Sequence, residues 1–203
     1  MNAKPGDIIT VRHYSLLNIF KSQITEIGEK SLTIRIAKEH SNAYFSVGDP
    51  IVIAFLGNEQ VSIAGGRVNC LSPSGETLEV SVDQAEEEAA NRLYERTPVS
   101  HYADIRIRDT GKKSQVLVKD MSFYGLLIFS NEDLYRGQQL DLDVYLDRDI
   151  MSLKAEVARK VQGAVHMEYG LKILHRGPLV FNHIQNYVRK SQEEFMNVFS
   201  RKQ

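Results

Sequence analysis

The chain has 203 residues, with 25 Lys plus Arg against 26 Asp plus Glu and a formal net charge of −1. That balance excludes a uniformly basic nucleic-acid coat, and 42% hydrophobic against 25% charged residues excludes a disordered acidic chain. No apolar run approaches the roughly 18 residues of a membrane span, and the single cysteine, Cys70, excludes an internal disulfide framework or a cysteine-based metal cage.

The opening stretch, MNAKPGDIITV, has no signal-peptide apolar core and reaches strand-like sequence at once, which reads as a cytoplasmic protein. A first strand is predicted over Asp7–Arg12 after the Pro5-Gly6 turn signal. Phe20–Ile27 and Ser31–Ile36 flank the turn Gly28-Glu29-Lys30. Ser31–Ile36 alternates with period two, so Leu32, Ile34 and Ile36 are predicted to face one core. Ile51–Leu56 follows Gly48-Asp49-Pro50, and Gly57-Asn58-Glu59 turns into Val61–Ala64. Gly65-Gly66 predicts a bend or bulge before Arg67–Leu71, where Cys70 is expected as a small core residue. Thr77–Val82 closes a set of about six short strands, the pattern of a small barrel.

Residues 83–92 break the pattern with a polar, acidic, helix-permissive stretch that reads as a connector, its Glu86–Glu88 run a solvated face. Charge changes across it. Residues 1–88 carry 7 Lys/Arg against 12 Asp/Glu, or −5, while residues 89–203 carry 18 against 14, or +4. This predicts two domains, 1–88 and 89–203, with different partners. Strand pattern resumes at Ala103–Arg108, Gln115–Lys119, Leu126–Ser130, Gln138–Leu146, Met151–Val161 and Val165–Leu174. After Pro178, Ile184, Val188, Phe195 and Phe199 recur near helical spacing. The predicted fold is mainly β: two small antiparallel barrels and a C-terminal helix.

Two motifs carry chemistry. Arg92-Leu-Tyr-Glu-Arg96 is an Arg-x-x-x-Arg beside the connector, and Asp120-Met-Ser-Phe-Tyr-Gly125 is an Asp-x-Ser-x-x-Gly at a strand-to-turn junction. Alone, the arginines read as a solvated helical pair and the second motif as an Asx-type turn. Together, before and on one barrel, they fit an anionic, guanine-bearing ligand. Arginine forks pair with phosphate oxygens or with guanine O6 and N7. The Asp120 carboxylate can accept from guanine N1–H and the N2 amino group, and the Ser122 hydroxyl can donate or accept. Gly125 is expected to supply a positive φ and close ligand approach.

In this order the motifs resemble the PilZ domain, a receptor for the bacterial second messenger cyclic di-GMP. Met167–Ile173 is similar to the family's late barrel strand and Ile184–Gln192 to its closing helix. The resemblance covers about residues 91–200; the leading half resembles, without a specific motif, the accessory barrel of flagellar-brake (YcgR-like) members. It implies that Arg92 and Arg96 clamp phosphate and guanine from the connector, that Asp120 and Ser122 hold a guanine edge, and that Gly125 shapes the turn. Many members carry a further arginine where this chain has Asn91, a neighbourhood that influences whether one cyclic di-GMP or a stacked pair binds. The implied function is that of a receptor and effector whose ligand reorients the two domains to control a protein partner, such as flagellar motor or envelope machinery.

Other classes fit less well. A PilZ-like interaction scaffold that does not sense nucleotide is the alternative, opposed by retention of both motifs. An RNA or single-stranded DNA binder is opposed by the absence of tryptophan and only 8% aromatic residues. The six histidines lack metal-ligand spacing, Asp141 and Asp143 fall on a polar strand face, and no nucleophile–base pattern supports an enzyme. No metal or cofactor is called for, and both a monomer and a homodimer are compatible with the sequence.

Overall fold

The computed structural model of the protein describes residues 3–16, 19–37, 45–57, 60–83, 97–146, 149–162, 167–174 and 177–200. The connector arginines Arg92 and Arg96, with Asn91 and the Glu86–Glu88 run, lie outside them.

Twelve strands and one helix are defined among these residues. The first six are β1 (Ile8–His13), β2 (Phe20–Ile27), β3 (Ser31–Ile36), β4 (Pro50–Gly57), β5 (Gln60–Leu71) and β6 (Thr77–Val82). The second six are β7 (Thr97–Ile107), β8 (Lys113–Met121), β9 (Gly125–Ser130), β10 (Gln139–Leu146), β11 (Asp149–Gln162) and β12 (Met167–Ile173), followed by α1 (Pro178–Ser200). Each set closes into an antiparallel barrel, in the orders β1-β2-β3-β6-β5-β4 and β7-β8-β9-β12-β11-β10. The two orders are the same. Each barrel is two three-stranded meanders joined by two long-range pairings, which leaves no open sheet edge.

The chain divides into two compact units. One comprises residues 1–87 and 190–203, the other residues 88–189. The last part of α1, from Lys190, groups with the first barrel.

Inside the first barrel the predicted alternation holds. Leu32, Ile34 and Ile36 are buried with Ile9, Val11, Ile51, Ile53, Val68, Leu78 and Val80. The apolar run Ile51–Phe55 has a second cause. Ile51 and Ile53 face the barrel core, while Val52 and Ala54 face outward and are covered by Phe195 of α1, with Ile63 and Phe199 packed alongside. A strand buried on both faces loses its alternation. Arg12 on β1 is buried for the same reason. Its guanidinium pairs with Glu194 and lies 5.4 Å from the Phe195 ring centroid.

Two expectations about β5 are corrected. Gly65-Gly66 makes no bulge against β4: Val52 pairs with Gly65 and Ile51 with Gly66 in unbroken register. The glycine at 66 instead permits a close approach, since a Cβ there would lie 2.5 Å from the Ser81 carbonyl oxygen. The irregularity falls between Val68 and Cys70, against β6. The extra residue reverses the phase of the strand, so Cys70 opposes the exposed Glu79 and is itself exposed rather than in the core.

His13 and Asp49 form a buried pair at the end of β1, with Nε2 3.2 Å from Oδ2. The Ser15 amide donates to His13 Nδ1 at 3.2 Å, so the ring proton sits on Nε2 and is directed at Asp49. Burial pushes the Asp49 pKa up. Hydrogen bonds from the His13 and Tyr14 side chains and the Ser46 amide outweigh it and hold the carboxyl below its ordinary value. The pair ties the start of β4 to β1.

Two predictions follow from this unit. Phe195→Ala should lower unfolding free energy by about 3–5 kcal/mol, read by denaturant titration. Because the folded Asp49 pKa is depressed, its stabilisation is present above roughly pH 4 and is lost as pH falls through the folded value. Unfolding free energy measured between neutral and acid pH should fall less steeply in Asp49→Asn than in the parent.

Candidate functional site

The Asp-x-Ser-x-x-Gly motif is the turn that joins β8 to β9. Met121 and Leu126, on either side, point into the barrel core. Asp120 is half-buried and stands on the outer face, opposite Leu127. A register shift between Val118 and Asp120 sets that orientation. It also places buried Lys119 with its Nζ 5.9 Å from the Phe129 ring centroid.

Ser122 is the brace of the turn. Its amide donates to the Gly125 carbonyl at 2.8 Å. Its hydroxyl accepts from the amides of Tyr124 at 3.3 Å and Gly125 at 3.2 Å, and donates to the Gly125 carbonyl at 3.3 Å. These bonds use both lone pairs and the proton. The bland reading of this motif, a side-chain-capped turn, therefore describes its local geometry.

Gly125 departs from expectation. It is absent from the glycines with positive φ, which are Gly6, Gly48, Gly75, Gly111 and Gly137 among the described residues. Its constraint is space. A Cβ at 125 would lie 2.2 Å from the Leu171 carbonyl oxygen of β12. That atom is backbone and cannot turn aside.

The turn is held from outside as well. Phe123 packs edge-on against Phe181 of α1, with centroids 4.9 Å apart. The Tyr124 carbonyl accepts from the Ile173 amide at 2.9 Å. Further along α1, Tyr187 meets the buried His101 of β7, oxygen to Nε2 at 2.7 Å. A loop fixed by a strand, a helix and its own serine presents Asp120 with little freedom left to lose on binding. An outward carboxylate at a rigid turn can accept two neighbouring N–H donors from a planar heterocycle.

Asp120, Ser122 and Gly125 are thus brought together by one turn. Arg92, Arg96 and Asn91 are not placed. The motif gave no hint of Phe123 and Phe181, whose signal is only aromatic character at a turn and on a helix face.

Residues 90–190 match the PilZ domain family, and this part of the chain belongs to it. Among solved structures, the Bacillus subtilis inhibitor of motility MotI/DgrA is similar over 94% of this chain and 99% of its own, at 14% identity and a TM-score of 0.44. Escherichia coli YcgR in complex with c-di-GMP is similar over 93% of this chain and 85% of its own, at 12% identity and a TM-score of 0.45. The K. pneumonia MrkH–c-di-GMP complex covers 93% and 90%, at 9% identity and a TM-score of 0.45. A search of curated proteins finds no match.

Gly125→Ala should destabilise the protein by about 1–3 kcal/mol, because the added methyl must push strand backbone apart. Thermal unfolding checks this, with a fall in midpoint of several degrees expected.

Proposed function

We propose that the protein is a non-catalytic receptor and effector for cyclic di-GMP. The observation that carries this reading is the location of both motifs in the PilZ-matching segment, residues 90–190, with Asp120 held outward on a braced turn. Asp120 accepts from N1–H and the N2 amino group of one guanine. Ser122 acts through the turn it braces, and Gly125 lets that turn close against β12. Arg92 and Arg96 supply phosphate and guanine clamps from the connector, with Asn91 as an accessory position. The ligand is a dianion, so charge-assisted contacts supply much of the affinity, at roughly 1.5–3 kcal/mol each.

The output is a change in the arrangement of the two barrels, selected because only one arrangement lets connector and barrel reach the same ligand. The altered surface then controls a protein partner in motility, flagellar motor or envelope machinery. In this reading the protein works in the cytoplasm. No described helix is long and apolar enough to cross a membrane.

Calorimetric titration with cyclic di-GMP tests the reading and reports stoichiometry. Micromolar affinity corresponds to about 8 kcal/mol. Arg92→Ala, Arg96→Ala and Asp120→Ala should each weaken binding by roughly tenfold or more. Unchanged affinity in all three would sink the assigned site, and no binding by the parent protein would sink the function.

A further inference from the structure

Four paired positions form one row across the outer face of the second barrel. Asp120 on β8 opposes Leu127 on β9, Leu127 opposes Gly170 on β12, and Gly170 opposes Arg159 on β11. Directly opposed residues in a sheet share a face. Leu126, Ile128, Tyr169 and Leu171 are core residues, so Leu127 and Gly170 between them face outward.

Arg159 does not extend away from this surface. Its Cγ, Nε and Cδ lie 2.6, 2.8 and 3.2 Å from where a Cβ on Gly170 would be. The side chain therefore lies over Gly170 on the outer face of β12, on the row that ends at Asp120. Only glycine leaves it this path. Lys160, the next residue of β11, is committed to Asp133. Arg159 makes no hydrogen bond or ion pair among the described residues.

A carboxylate on β8 and an arginine lying over β12, on one row of the outer face, form a complementary pair of edges. Guanine matches them. Its N1–H and N2 amino group are donors, and its O6 and N7 are acceptors placed for a two-pronged arginine contact. Adenine has an acceptor at N1 and a donor at N6, and so fails at both ends. We propose that Arg159 is a further ligand-binding and specificity-determining residue, donating to O6 and N7 of the guanine that Asp120 holds by its other edge. This rests on the cyclic di-GMP reading, and it leaves Arg92 and Arg96 for the phosphates and the second base. Gly170 belongs to the same device as the residue that lays the arginine flat.

Calorimetric titrations with cyclic di-GMP and cyclic di-AMP test it, using the parent protein, Arg159→Ala, Arg159→Lys, Gly170→Ala and the Arg159→Ala/Gly170→Ala double variant. Arg159→Ala should weaken cyclic di-GMP binding by roughly tenfold or more and narrow the preference over cyclic di-AMP. Lysine should not restore either, because it lacks the fork. Gly170→Ala meets only a flexible side chain, so it should fold normally and bind more weakly by displacing Arg159. The double variant should then be no weaker than Arg159→Ala alone. Parent binding with unchanged affinity in Arg159→Ala, or full recovery with lysine, overturns this inference and leaves the receptor function standing. Failure of the parent to bind cyclic di-GMP overturns both.

Discussion

The pairing of β9 with β12 is the constraint on which the second barrel depends. The two strands belong to different meanders, and their register brings Gly125 opposite Lys172 and Gly170 opposite Leu127. Both glycines on this seam are sites where another residue would collide, one with backbone and one with the Arg159 side chain. The seam carries the outer-face row from the Asp120 turn to Arg159, β8 and β11 being linked through β9 and β12 on this side of the closed barrel and through β7 and β10 on the other. Fold closure and the layout of the outer face are thus one event.

A second constraint operates in the first unit. A six-stranded barrel needs only its inner positions to be apolar, yet β1 and β4 are buried on both faces. The outer face is covered by the last turns of α1, with Phe195 at its centre and fully buried. Burying Arg12 there carries a desolvation cost, which the Glu194 carboxylate and the Phe195 ring offset.

Local features were the legible ones. Ser31–Ile36, Phe20–Ile27 and Thr77–Val82 end where their alternation and flanking turns end. The two-barrel architecture and the terminal helix could be read from such signals repeated along the chain. Asp120, Ser122 and Gly125 were legible as a group because one turn contains them. What failed depended on partners distant in sequence. Gly65-Gly66 looks like a bulge until β4 pairs with it in register and Ser81 is brought against it, and Cys70 looks buried until β6 imposes the real bulge. Gly125 was identified for the wrong backbone reason, because the Leu171 carbonyl that excludes a side chain lies 46 positions further along. Arg159 and Gly170 carry no motif at all, and their relation to Asp120 exists only across three strand pairings.

The contact between Arg12 and Glu194 joins residues 182 positions apart. It gives the first unit an order of completion opposite to its order of synthesis. A ribosome delivers β1 to β6 early, and N-terminal domains ordinarily fold as they emerge. Here the outer surface formed by Thr10, Arg12, Val52 and Ala54 waits for residues made after the entire second barrel. For that interval the nascent chain carries an apolar patch with a cation at its margin, a surface suited to chaperone capture. The earliest-made barrel is the last to be finished.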